Sequence, residues 1–480
     1  MRRWSIAVGV VGWMVLTSGA RADDTALREQ AAQALRKAVD YFRKEVATEG
    51  GYLWRYSEDL SRREGEGRAT ATQVWVQPPG TPSVGLAYLT AYEATGDASY
   101  LEAARETAYA LVKGQLRSGG WDYRIEFDPK LRKQYAYRVD GDGGQGRGVT
   151  TLDDNTTQEA LRLLMRVDRA LGFKDPKVHE AAAFALQSLL QAQYPNGAWP
   201  QRFDRFPDPE KFPVKRASYP EAWSRTWPGT PYASYYTFND NALSDVIDVM
   251  LEAAVTYDQP KYRQAAEKAG GFILLAQMPE PQPGWAQQYD FDMHPAWARR
   301  FEPPAITGGE AMGVMLTLLR LYRETGDKKY LEPIPRALDY YQRSRLPDGR
   351  LARFYELKTN KPLYFTKDYQ LTYRDDDLPT HYGFKVPDRT ESIRKEYERI
   401  RALDPAELKR PPARSRPPLT KELTEQTKRV IAALDDRGRW VEPGRLRSQG
   451  PDDPTRRVIS SQTFIRNVQT LAAFLKAASP

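Results

Sequence analysis

The sequence predicts an all-α protein, a toroid of antiparallel helix pairs with long loops and few short strands. Three observations predict it. One layout recurs four times: a helix, a short turn containing Asp, a second helix, then a polar or aromatic loop. Within these units apolar residues fall at helical spacing, as in Ala181, Ala185, Leu186, Leu189 and Leu190, or Leu316, Leu318, Leu319 and Tyr322. Strand-like alternation is scarce, and runs such as Val74-Trp75-Val76 read as small strands in loops.

The first unit runs from Gly96-Asp97 through Tyr100 and Ala104 to Gln115 and Gly119-Gly120-Trp121. The second starts at Gly172-Phe173-Lys174-Asp175 and ends at Gln193, then Asn196-Gly197-Ala198-Trp199. The third starts at Thr256-Tyr257-Asp258 and ends at Gln277, then Gly284-Trp285; the fourth starts at Thr325-Gly326-Asp327 and ends at Gln342, then Pro347-Asp348-Gly349. A helix before Gly50-Gly51-Tyr52-Leu53-Trp54 reads as half of one more unit. Neither helix of such a pair can bury its apolar face alone, so the units must stack. Each Gly-Trp loop leaves its helix at the same end, which gathers the loops where chemistry is expected. Trp121 and Trp285 can either plug gaps between helix pairs or stack on a sugar ring.

Beyond 387 the pattern changes. A charged helix over 389–403 leads to a Pro- and Arg-rich stretch, 410–418, expected as an exposed connector. Helices near 421–434 and 464–478 complete the ring. The chain begins with Arg2 and Arg3, an apolar run over 6–16 and Ala20-Arg21-Ala22, the pattern of a secretory signal over 1–22. The remaining 23–480 are expected to form one catalytic toroid. Secreted or periplasmic placement follows, with no membrane association after signal cleavage.

The 480 residues hold no cysteine, which excludes thiol chemistry and disulfide stapling. His179, His294 and His381 have no ligand spacing to one another, which argues against zinc. No phosphate-binding glycine loop, dinucleotide fingerprint or serine elbow is present. The net charge of +8 suits a polyanionic partner; outside the cytoplasm that is an acidic polysaccharide and not nucleic acid.

Five clusters carry candidate chemistry. Asp153-Asp154-Asn155 stands before an amphipathic helix, and three adjacent oxygen donors exceed what an N-cap needs, so a hard cation is expected there. Asn196-Gly197-Ala198-Trp199-Pro200-Gln201 forms a polar loop. Asn239-Asp240-Asn241 again crowds oxygens at a helix start. Pro295-Ala296-Trp297-Ala298-Arg299-Arg300-Phe301-Glu302-Pro303-Pro304 holds arginines rigidly among aromatics, ready for a two-pronged carboxylate contact or for a structural pair with Glu302. Arg353-Phe354-Tyr355-Glu356 supplies a further cation.

In this order, over about 149–364, these stretches resemble the pectic acid lyase family, numbered ten among the polysaccharide lyases. The resemblance implies an incomplete (α/α) toroid and a calcium-dependent pectate lyase that cleaves polygalacturonate, or a related acidic polysaccharide, by β-elimination. It implies that Asp153 binds Ca2+, with Asp154 and Asn155 beside it, and that Arg299 is the catalytic base. Asp240 would face the substrate, with Asn196, Gln201, Asn239, Glu302, Arg353, Lys367 and Arg374 as further substrate contacts. The chain departs from the family at Asp154-Asn155, where a Gly-containing turn is usual, and at Thr366-Lys367-Asp368, where Gly-Arg-Asp is usual. Two other readings stay open: a non-catalytic polyuronide-binding protein on a lyase scaffold, and a toroidal glycoside hydrolase using Asp153 or Asp154 with Asp240. A monomer is expected.

Overall fold

The computed structural model describes residues 16–139, 146–408 and 418–478. Most of the predicted signal and nearly all of the 410–418 connector therefore lie outside the described residues. The described helices are α1 (Leu16–Tyr41), α2 (Thr81–Thr95), α3 (Ala98–Gly114), α4 (Thr156–Ala170), α5 (Pro176–Ala192), α6 (Ala242–Tyr257), α7 (Pro260–Ala276), α8 (Glu310–Thr325), α9 (Ile334–Arg343), α10 (Thr390–Arg401), α11 (Pro405–Leu408), α12 (Lys421–Ala432) and α13 (Ser461–Ala477). Strands are short, two to four residues each. The class is thus all-α, with helix pairs of the (α/α) toroid kind. No described helix is long and apolar enough to cross a membrane.

The chain divides into two compact units. One comprises residues up to 74, 83–107 and those from 414; the other comprises 75–82 and 108–413. In the first unit α1 packs on α13 and α12. Phe42 stacks on Phe464 with ring centroids 3.8 Å apart, and Tyr52 and Tyr88 share a hydroxyl hydrogen bond of 2.7 Å. Arg55–Ser57 pairs antiparallel with Arg457–Ser460, so both ends of the chain meet in one four-stranded sheet.

In the second unit α4 packs on α5 and α6 on α7, while α4, α6 and α8 form a contiguous inner row. Turn chemistry builds each pair. Gly172 (φ 66°) and Gly326 (φ 74°) take the left-handed conformation that ends the inner helix. The following Asp then caps: Asp175 accepts from the Lys177 and Val178 N–H groups ahead of Pro176, and Asp327 accepts from Lys329 N–H. The third pair uses Asp258 itself as the left-handed residue, followed by Pro260 at the start of α7.

At the opposite end, the outer helices α3, α5 and α7 finish in the Gln-to-Trp loop. The indole N–H of Trp121 donates to Leu111 C=O at 2.8 Å, that of Trp199 to Leu189 at 2.8 Å and that of Trp285 to Ile273 at 2.9 Å. All three rings are fully buried. Between gap-filling and sugar stacking, the structure selects gap-filling. The glutamines act with them. Gln115 donates to Gly119 C=O and Ala181 C=O, Gln193 to Gly197 and Ala265, and Gln277 to Pro283 and Pro333. One amide thus ties its own loop to the next outer element. Gly197 must be glycine: its φ is 98°, and a Cβ would lie 2.1 Å from Lys268 O.

Candidate active site

After each Trp the chain crosses to the start of the next inner helix, and there two turns repeat one geometry. Thr150–Thr151 pairs with Arg202–Phe203, and Tyr236–Thr237 pairs with Gln288–Tyr289. A 3-10 turn follows each strand, Asp153–Asn155 and Asn239–Asn241. Thr151 Oγ1 accepts from Asp153 N–H at 3.2 Å, and Thr237 Oγ1 accepts from Asn239 N–H at 3.0 Å. Two consecutive left-handed residues close each turn, Asp154 and Asn155 (φ 50° and 57°) and Asp240 and Asn241 (φ 48° and 59°). Asp and Asn are the non-glycine residues that tolerate this region best. Neither Asn155 nor Asn241 makes a side-chain cap, so these turns are not ordinary helix starts.

The turns bring Asp153, Asp154 and Asp240 together, with a carboxylate oxygen of each within 4.8 Å of the others. Three oxygens of the turns are buried with no hydrogen-bond partner: Asp153 Oδ1, Asn155 Oδ1 and Asn239 Oδ1. Both amides turn their N–H groups aside, Asn155 to Glu159 at 2.9 Å and Asn239 to Asp240 at 2.6 Å. Orphaned buried acceptors are rare, and oxygen-only acceptors in acidic surroundings fit a hard divalent cation such as calcium. Partial burial, then the charges of Asp153 and Asp154, push the Asp240 carboxyl up to about 7, against the opposing pull of Arg299.

Polar neighbours hold the acids. Tyr123 donates to Asp153 Oδ2 at 2.7 Å, Arg202 reaches the same oxygen at 3.3 Å, and Gln77 donates to Asp154 Oδ2 at 2.9 Å. Facing them is the arginine turn. Arg299 grips Glu302 in a bidentate contact, Nε to Oε2 at 2.8 Å and Nη2 to Oε1 at 2.6 Å. Tyr382 donates to Glu302 at 2.9 Å, and the Arg299 guanidinium lies 5.0 Å from the Phe301 ring and 5.4 Å from that of Tyr382. Burial works to lower the Arg299 pKa, but the Glu302 hydrogen bond and charge outweigh it and hold it above the ordinary arginine value. Burial likewise works to raise Glu302, and Arg299 outweighs it. Arg353 donates to Glu310 at 2.8 Å and lines a cavity of about 410 Å³ with Asp240, Asn241, Glu310 and Arg389.

Asp153, Asp154, Asn155, Asn239, Asp240, Arg299, Glu302 and Arg353 therefore share one neighbourhood; Arg299 and Arg353 both feel the Asp240 charge. Of the other expected contacts, Asn196, Lys367 and Arg374 have side-chain partners elsewhere, and Gln201 adjoins the acid turn through its backbone. Asn196 Oδ1 accepts from Ala198 N–H at 3.0 Å and shapes its own turn. Gln201 offers its backbone C=O to Leu152 N–H at 2.8 Å, steadying the strand ahead of Asp153. Lys367 pairs with Asp377 at 3.1 Å and Arg374 with Asp376, both exposed. Gln77, Tyr123, Arg202, Tyr232 and Tyr382 were not singled out from the sequence. Arg202 adjoins the Gln201 motif, and the others sit in loops with no periodic signal. A larger cleft, about 640 Å³, lies in the first unit among Arg62, Arg439 and Arg457, whose charges are met by Asp453, Asp435 and Glu58. It contains none of the expected site residues.

The pectic acid lyase family model matches residues 134–347. Among solved structures, the family 10 polysaccharide lyase from Cellvibrio cellulosa is 21% identical with a TM-score of 0.45, covering 67% of this chain and 98% of that chain. A mutant of the family 10 lyase from the same organism, in complex with trigalacturonic acid, is 20% identical with a TM-score of 0.45, covering 66% and 98%. A D-mannose isomerase is 14% identical with a TM-score of 0.40, covering 78% and 97%. No curated protein matches the chain.

Proposed function

With residues 134–347 belonging to the pectic acid lyase family, the chain is a polysaccharide lyase, and we propose that it cleaves a 4-linked polyuronide such as polygalacturonate by calcium-assisted β-elimination. One observation carries the finer reading. Three carboxylates and two orphaned amide oxygens crowd two matching turns, with Asp153 Oδ1 orphaned as well, and the charge of Arg299 on its rigid turn reaches Asp240.

Asp153, Asp154 and Asp240 would hold the ion, with Asn155 and Asn239 offering amide oxygens. When bound, calcium neutralises the uronate carboxylate and stabilises the charge that develops as C5 loses its proton. Gln77, Tyr123 and Arg202 keep the carboxylates aimed. Glu302 fixes the plane of the Arg299 guanidinium, which would act as base at C5. The same pairing raises the guanidinium pKa, so the neutral form is scarce until positive charge gathers nearby. Arg202, Arg353 and the divalent ion supply that charge, and the reading requires an alkaline optimum. Arg353 is placed to meet a neighbouring uronate carboxylate. The enzyme is read as exported, where its polymeric substrate is found.

The test is purified enzyme on polygalacturonate, followed by the ultraviolet absorbance of the unsaturated product. Wild type produces it with calcium and not with excess chelator. Arg299→Ala loses at least ~10³-fold in kcat while keeping its fold. New reducing ends without a double bond would instead select hydrolysis, and binding without turnover would select the non-catalytic reading.

A further inference from the structure

Elimination leaves one requirement unmet by the residues above: the departing O4 must gain a proton. The carboxylates are committed to the cation, to Arg299 or, for Glu310, to Arg353. Three tyrosines lie within reach of the charges on these groups, and two are already engaged. Tyr123 donates its proton to Asp153, and Tyr382 donates to Glu302. The third, Tyr232, is half-buried, and among the described residues no hydrogen bond engages its hydroxyl.

Its position follows from how its loop is fastened. Between Arg202–Phe203 and Tyr236–Thr237 run 32 residues, 204–235, with one 3-10 turn, Pro209–Lys211. Loops this long inside a compact unit are commonly functional. The segment 224–233 is pinned at both ends. On one side Trp297 donates to Ser224 C=O at 2.8 Å, and Trp227 donates to Ala298 C=O at 2.9 Å, one residue before Arg299. On the other, Arg202 N–H donates to Ala233 C=O at 3.0 Å, and Arg202 itself reaches Asp153. Residues 224–231 are exposed. The strap therefore runs from the arginine turn to Arg202 beside the acid turn, with Tyr232 next to its Ala233 anchor, and the charges of Glu302, Arg299, Arg202 and Asp153 all act on Tyr232.

We propose that Tyr232 is a second catalytic residue of this lyase, the acid that protonates the leaving O4. The inference rests on the lyase reading above. Neutral Arg299 takes the C5 proton; the C5–H electron pair becomes the C4=C5 double bond as the C4–O4 bond breaks. O4 leaves with its electron pair and takes the Tyr232 proton. The resulting tyrosinate then regains a proton from the Arg299 guanidinium. The net change moves one proton from C5 to O4 and consumes no water, oxidant or reductant. Burial, with the Glu302 and Asp153 charges, keeps the phenol protonated above its ordinary range, against Arg299 and Arg202.

The test compares wild type, Tyr232→Phe and Tyr232→Ala on polygalacturonate with calcium. The phenylalanine variant keeps the ring and removes only the proton. It should lose about 10²-fold or more in kcat, with KM within about twofold and an unchanged calcium-induced thermal shift. The solvent deuterium isotope effect on kcat should also change. Wild-type kcat in Tyr232→Phe, with KM raised only in Tyr232→Ala, would overturn the acid role and leave a ring that merely contacts sugar. If wild type itself forms no unsaturated product, the lyase reading fails first and this inference falls with it.

Discussion

The Trp loops and the acid turns occupy the same end of the same helix pairs, yet they treat polar atoms in opposite ways. In the Trp loops every amide proton named above has a partner, and each glutamine bridges two elements 66 to 72 residues apart in the first two units. In the acid turns three oxygens are buried without one. Consecutive left-handed residues close the acid turns, whereas a single glycine suffices in the Trp loop at Gly197. The Trp loops settle their polar atoms within the protein, whereas the acid turns hold oxygens that a cation could use.

The sharpest way to break this comparison is to cut the chassis. Trp199→Ala should lower stability by about 3–5 kcal/mol in denaturant unfolding, because a fully buried indole and its hydrogen bond both go. A soluble, equally stable variant with impaired catalysis would make Trp199 a functional residue and dissolve the distinction.

Next in size is the linkage between calcium and pH. A carboxyl whose folded pKa lies above its unfolded value binds protons more tightly in the native state, so without metal Asp240 makes stability fall as pH rises from about 4 to about 7. Calcium needs the ionised form. The rise in Tm on adding calcium should therefore be small near pH 5 and full near pH 8, and Asp240→Asn should flatten that dependence. A calcium shift of equal size at both pH values would remove Asp240 from the ion's ligands.

Glu302→Gln probes the facing turn. It removes the charge that holds Arg299 protonated, so the rise of kcat with pH should move to lower pH, though maximal kcat falls with the lost clamp. An unmoved profile would take Arg299 out of the base role. The smallest effect is expected at Asn241→Gly. Glycine relieves the left-handed residue and should stabilise by up to about 1 kcal/mol in thermal unfolding, with calcium affinity little changed, since the Asn241 oxygen is not among the orphaned ones.

These contrasts also explain what could be read in advance. The repeat was visible because Gln, Gly, Trp and the Asp caps recur at similar intervals, and helical periodicity between them is strong. The helix starts expected near 389, 421 and 464 fall within a few residues of those observed at 390, 421 and 461. Asp153 and Asp240 were visible as crowded oxygen donors. The purpose of the glutamines was not visible, because nothing local says that Gln193 reaches Ala265. Lys367 and Arg374 were placed by motif order, while their side chains answer to Asp377 and Asp376 close by in the chain. Tyr123, Arg202 and Tyr232 enter the neighbourhood through loop paths, for which spacing gives no rule.

The start of α8 keeps one bond of the acid turns without their 3-10 turn or left-handed pair. Gly309 N–H donates to Thr307 Oγ1 at 3.2 Å, as Asp153 and Asn239 do to their threonines, but Gly309 carries no side chain. A Cβ there would meet the Arg353 guanidinium at 3.9 Å. The acid turns leave oxygens without partners, whereas here the acid that follows, Glu310, is already met by Arg353 at 2.8 Å. The third helix start thus settles its acid from within the protein, while the acid turns keep oxygens in reserve.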